Sequence, residues 1–172
     1  MHLAELKKIV YRDLDERLMV GVHYQTSFEE AGTAWESFSE SDEAKRVQEL
    51  SVFAGCEDME DHDGIGMMFH FRDNHAFEMV IGDFVKSDTP VPRELYQKRI
   101  PKGTVACVQI EGSDIAEIVE SAFGLITESI ERTGREIDFD QFYWCEIYTK
   151  ERYSLPISRG EKVTIDYMLP VK

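Results

Sequence analysis

Hydrophobic positions in this chain alternate with polar ones in some stretches and recur at three- and four-residue spacing in others. The two periods separate strands from helices along its length. Ile9–Tyr24 reads as two extended pieces around the polar run Arg12–Arg17, the second being Leu18-Met19-Val20-Gly21-Val22-His23-Tyr24. Ser27 and Glu30 have capping-box spacing, and Phe28, Ala31, Trp35 and Phe38 follow as one helical face. A cap at Ser41 or Asp42 predicts a further short helix to about Leu50. Gly64–Phe71 and Phe77–Val85 pattern as paired strands, and Ser87–Pro92 is punctuated like a linker. Thr104–Ile110 is a strand. Asp114 then caps a helix with Glu117 in the capping-box position, an apolar stripe runs from Ile115 to Ile130, and Gly134 stands just past the end. Phe142–Thr149 and Val163–Val171 complete the strands.

Strand, helix, strand, strand therefore occurs twice. Met19-Val20-Gly21-Val22 precedes Thr104-Val105-Ala106-Cys107 by 85 residues, and Phe77–Ile81 lies at nearly the same offset from Glu161–Ile165. The pattern predicts a duplicated α+β fold in one domain over residues 1–172, with pseudo-repeats at roughly 1–88 and 93–172. Antiparallel sheet with helices on one face is the expected architecture, with a ligand crevice between the halves.

Charge narrows the function. The 172 residues hold 19 Lys and Arg against 34 Asp and Glu, a formal charge of −15. This balance excludes the basic footprint of a nucleic-acid binder or of a protein drawn to an anionic membrane, and it permits cationic ligands and basic protein partners. Glu40–Asp63 forms an acid pole of nine carboxylates against Lys45 and Arg46, a net charge of −7. Within it, Asp58, Glu60, Asp61, His62 and Asp63 lack the spacing of a calcium loop and read as a solvated acidic loop. No zinc spacing, dinucleotide fingerprint, phosphate loop or nucleophile elbow is present, so neither metal nor cofactor is expected. Met1–Lys8 has no signal-peptide core and no run is long enough to span a membrane. Cys56, Cys107 and Cys145 are odd in number and read as reduced thiols, which points to a cytoplasmic protein.

The segment Phe142–Thr149 carries the most chemistry. On a strand, Phe142, Trp144, Glu146 and Tyr148 share one face, which sets a carboxylate among three aromatic rings. Such a face suits an organic cation, which would supply the missing charge and stack on the rings. The same alternation also fits a strand that simply points Glu146 at water.

Ile100-Pro101-Lys102-Gly103-Thr104-Val105-Ala106-Cys107-Val108, then a helix, then Tyr143-Trp144-Cys145-Glu146-Ile147 and Tyr153-Ser154, resembles the GyrI-like family, which includes BmrR-like effector-binding domains. The resemblance spans the second half closely and the first half by pattern. It implies a duplicated β-α-β-β fold whose pocket uses a strand glutamate against lipophilic cations. Glu146 matches that glutamate and Tyr153 a pocket tyrosine, whereas the family's further tyrosine after the Ile-Pro-Lys-Gly motif is Val105 here. Trp35 is a candidate aromatic wall from the first half, although ordinary packing of its helix explains it equally. Regulators of this kind carry an upstream DNA-binding domain. With its first strand near Ile9, this chain reads as a stand-alone member.

The leading expectation is a binder of hydrophobic, cationic or aromatic small molecules for sensing or sequestration, with Glu146 as counter-charge. Two alternatives stay open. One is a hydrolase of strained-ring toxins, implied by stand-alone relatives, with Glu146 and Tyr148 or Tyr153 as catalytic groups. The other is a gyrase-inhibitor-type protein-interaction role for the acid pole.

Overall fold

The computed structural model describes residues 4–172. Met1–Leu3, which begin the segment without a signal-peptide core, lie outside the described residues. The fold is α+β, and its strands pair antiparallel with their neighbours. No helix among the described residues is long and apolar enough to cross a membrane.

The chain divides into two compact units. One takes β1 (Glu5–Leu14), the short segment Asp61–Asp63 and everything from Gly103 to Lys172; the other takes Asp15–Glu60 and Gly64–Lys102. In the second unit, β2 (Arg17–Ser27) leads to α1 (Ala31–Ser39) and α2 (Asp42–Ala54). After these come β3 (His62–Phe69), β4 (Ala76–Lys86) and β5 (Tyr96–Ile100). Its strands lie in the order β3-β4-β2-β5. The first unit contains β6 (Gly103–Gly112), α3 (Ile115–Arg132), β7 (Trp144–Thr149), α4 (Leu155–Ser158) and β8 (Val163–Val171), with strands ordered β1-β6-β8-β7.

The repeated β-α-β-β pattern holds, with one extra strand in each repeat: β1, the first of the two extended pieces expected over Ile9–Tyr24, and β5, which the pattern did not show. β1 precedes β2 in the chain but pairs with β6, while β5 precedes β6 but pairs with β2. The outermost strand of each unit thus comes from the other repeat. β5, with the sequence Tyr-Gln-Lys-Arg-Ile, lacks the apolar alternation that would reveal it, as expected of a polar edge strand.

Local signals explain the helices. Asp114 accepts from the Glu117 amide at 2.9 Å, and the Glu117 carboxylate accepts in turn from the Ser113 amide at 3.1 Å. Gly134 adopts φ 77° just after the end of α3, a left-handed stop that suits glycine. Ile118, Ala122, Ile126 and Ile130 are the buried stripe of α3. Ser41 caps α2 by accepting from Ala44 at 3.2 Å, and the helix runs to Ala54, one turn beyond the expected end. The expected Ser27 cap fails because Ser27 is the last residue of β2, paired with Ala76. α1 starts after Glu30 with no side-chain cap. Phe28 consequently leaves the helical face and joins Phe71, Phe77 and His75 in a ring cluster. The first strand starts at Glu5 rather than near Ile9.

The acidic loop is bound into the fold rather than simply solvated. Arg17, 3% exposed, donates to both Asp58 oxygens at 2.9 and 2.8 Å, and its guanidinium lies 5.8 Å from the Phe84 ring centre. Glu57 meets Lys86, and Asp61 meets Lys150. Removing the Asp58 charge deprives the buried Arg17 guanidinium of that counter-charge. Asp58→Asn should therefore cost about 2–4 kcal/mol in urea unfolding, more than Glu57→Gln, whose exposed pair contributes about 0–1 kcal/mol.

Candidate functional site

Glu146 lies in the middle of β7, and the β7–β8 register sets Cys145 opposite Met168, Glu146 opposite Tyr167 and Ile147 opposite Asp166. Directly opposed residues share a face, so Glu146 and Tyr167 emerge together. This is the face on which α3 packs. Phe123 of α3 comes 5.8 Å from Trp144, and Trp144 comes 5.2 Å from Tyr167. Phe142 is 6.5 Å from Trp144 and 5.4 Å from Phe139, which extends the aromatic row past the start of the strand. On the other side of Glu146 along β7, Tyr148 meets Tyr153 edge to face at 4.7 Å.

Tyr153 reaches this position because the chain leaves β7 in a single wide π-helical turn, Lys150–Ser154. The buried Thr149 hydroxyl accepts from the Arg152 amide at 3.2 Å and closes the turn. The Arg152 guanidinium then donates to both oxygens of Asp166 at 2.9 and 2.6 Å. Asp166 leaves β8 on the face opposite Tyr167, so this bidentate clamp fixes the turn from one side of the sheet while the next residue, Tyr153, packs on Tyr148. Ser154 also donates to Asp63.

Glu146 is 6% exposed. Tyr148 donates to its Oε2 at 3.2 Å, and no cationic side chain among the described residues pairs with it. Burial raises its pKa from the ordinary carboxylate range to about 7, against a smaller lowering by the Tyr148 hydrogen bond. Burial raises the tyrosines as well, most strongly Tyr148 and Tyr167, and the Glu146 charge adds to the rise in each of Tyr148, Tyr153 and Tyr167. At neutral pH the region therefore holds a carboxyl group poised between its two forms, beside protonated phenols. Such a group can offer a counter-charge to a cation or take a proton from a bound water.

The structure gathers Glu146, Tyr148, Tyr153, Trp144 and Phe142 into one region. Trp35 belongs to the second unit, where its ring covers Gly64 and Gly66 of β3; a methyl group on Gly66 would come within 2.7 Å of it. Tyr167 was missed in the sequence. It belongs to a well-patterned strand, but 13 residues separate β7 from β8, and only the register sets it against Glu146. No cluster of three or more metal-ligating side chains occurs among the described residues, and the three cysteines are free.

The family model for the GyrI-like small molecule binding domain matches residues 7–172. None of the curated protein sequences is significantly similar to the chain. Among solved structures, SAV2435 bound to tetraphenylphosphonium shares the fold with a TM-score of 0.67 at 10% identity, over 96% of this chain and 94% of that one. The EcmrR C-terminal domain gives 0.56 at 10% identity over 96% and 97%, and a hydrolase from Listeria innocua gives 0.53 at 12% over 96% and 92%. At these identities the likeness is one of fold.

Two stability outcomes follow from the packing. Trp144, 8% exposed among Phe123, Phe142 and Tyr167, should cost about 3–5 kcal/mol on replacement by Ala, read in urea melts. Glu146→Gln should act in the opposite direction, and only at high pH. The folded protein keeps a proton on Glu146 that the unfolded chain releases, so stability is lost as pH rises from the ordinary carboxylate range through about 7. The variant should thus exceed wild type by on the order of 2–3 kcal/mol at pH 8, and the gain should vanish near pH 4.

Proposed function

Because the chain belongs to the GyrI-like small-molecule-binding family, we propose that it binds hydrophobic organic cations, with Glu146 as the counter-charge and the neighbouring aromatic rings as the walls. The observation that carries this reading is the buried carboxylate whose pairing is limited to a tyrosine hydroxyl. A buried ionised group needs a compensating charge, and a bound cation supplies one where the protein does not. Tyr148 and Tyr153 offer ring faces and edges beside it, which attract cations by about 0.5–2 kcal/mol each. The binding of tetraphenylphosphonium by SAV2435 supports the same ligand class. Sensing or sequestration of such compounds is the role this affinity would serve.

A second reading rests on the same carboxyl group. A pKa of about 7, next to a tyrosine hydroxyl, suits a general base that activates water. Hydrolysis of an electrophilic cyclopropane, lost in Glu146→Gln, would establish that reading over simple binding.

Cation binding selects the ionised form of Glu146, so affinity should rise with pH through about 7. Between pH 5.5 and pH 8 the dissociation constant of tetraphenylphosphonium should fall roughly 30-fold, from the change in ionised fraction alone. Glu146→Gln should flatten this profile and weaken the cation far more than a neutral aromatic analogue. Calorimetric titrations at three pH values decide it; a flat wild-type profile, or an unaltered one in the variant, removes Glu146 from the role of counter-charge.

A further inference from the structure

The cation reading uses the carboxylate and the rings but leaves one polar atom beside them without a task. Tyr167 is 2% exposed, its ring held against Trp144, and its hydroxyl oxygen is buried with no hydrogen-bond partner among the described residues. Buried tyrosine hydroxyls ordinarily find a partner, because leaving the group unsatisfied is costly. Glu146 stands directly across the strand pair and would be the natural acceptor, yet its hydrogen bond comes from Tyr148. Register sets Tyr167 opposite Glu146, and Tyr148 shares that face and bonds Glu146, so the three groups stand together on one face of the strand pair.

The two sides of this small cluster differ in what they ask of a ligand. Glu146 asks for positive charge. Tyr167, protonated at any physiological pH, has a donor to give. A bare hydrophobic cation answers the first demand and leaves the second unmet. Resting on the reading of Glu146 as counter-charge, we propose that Tyr167 is a second recognition point of the same site. The ligand class it selects is a hydrophobic organic cation bearing an ether or carbonyl oxygen beside its cationic centre.

Two probes of equal size and charge test this: n-butyltriphenylphosphonium and (2-methoxyethyl)triphenylphosphonium, which differ in a methylene replaced by an ether oxygen. Each is titrated into wild type, Tyr167→Phe and Glu146→Gln. Wild type should prefer the ether by roughly 3- to 10-fold, the range of one net hydrogen bond. Tyr167→Phe keeps the ring against Trp144 and should abolish the preference by weakening the ether probe alone. Equal affinity of wild type for both probes overturns the proposal without recourse to any variant. So does an equal loss of both probes in Tyr167→Phe, the result expected if the hydroxyl serves only a trapped water or the packing. Glu146-dependent binding without a preference defeats the Tyr167 inference and leaves the counter-charge intact. Binding of neither probe, or binding that Glu146→Gln does not alter, defeats both.

Discussion

An acid buried without a cation is the constraint around which this part of the molecule is arranged. Removing a carboxylate from water costs several kcal/mol unless charge or hydrogen bonds replace the water, and Glu146 receives one hydrogen bond from a neutral phenol. Glu78, in the second unit, shows the ordinary solution. Its two oxygens meet His23 at 2.7 Å and His70, and these bonds hold its carboxyl below the usual range. The two glutamates occupy strands of the same protein and titrate in opposite directions. The difference lies in partners. One carboxylate meets two imidazoles and the other a single phenol.

The surroundings of Glu146 keep the missing charge from being supplied locally. Arg152 follows Glu146 by six residues but does not pair with it. Instead its guanidinium is committed to Asp166 by two bonds, and alternation along β8 puts Asp166 on the face opposite Tyr167. Lys150, nearer along the chain, pairs with Asp61, while Arg152 is spent on fixing a turn that delivers Tyr153 to Tyr148. On the other side, the buried rings of Trp144 and Tyr167 cover Glu146 without contributing charge.

Much of this was legible in the residues. The alternation of Phe142, Trp144, Glu146 and Tyr148 gave the shared face, and the stripe and caps of α3 gave the helix that covers part of it. The two faces of that helix prediction met different fates: Ile118, Ala122, Ile126 and Ile130 are buried, whereas Ile115, Val119 and Phe123 stay exposed. Pairing between distant segments was not legible. β1 was read as an extended piece without its partner β6, and β5 is recognised only by its partner β2, since polar edge strands carry little apolar signal. The Ser27 cap failed for a related reason: its spacing was right for a helix start, but the ladder to β4 had already claimed the residue. Tyr167 stayed hidden because register, unlike alternation, is a property of two strands at once.

An unsatisfied site of this kind links ligand and fold through one free energy. The ionised Glu146 lowers the stability of the unliganded protein, and whatever replaces its lost hydration returns that energy on binding. On the proposed reading, ligands compete with protons: below about pH 7 the carboxyl group relieves its own burial by protonation, and a cation would have to displace that proton to bind. Neutral aromatic compounds face no such competition, but they also leave the charge unanswered when it forms. On that reading, selectivity for cations over neutral compounds would be strongest above pH 7 and fade toward acid, without any change in the shape of the site. Substituting a cationic residue nearby would remove the strain and the selectivity together, which is the usual conflict between a stable core and a functional one.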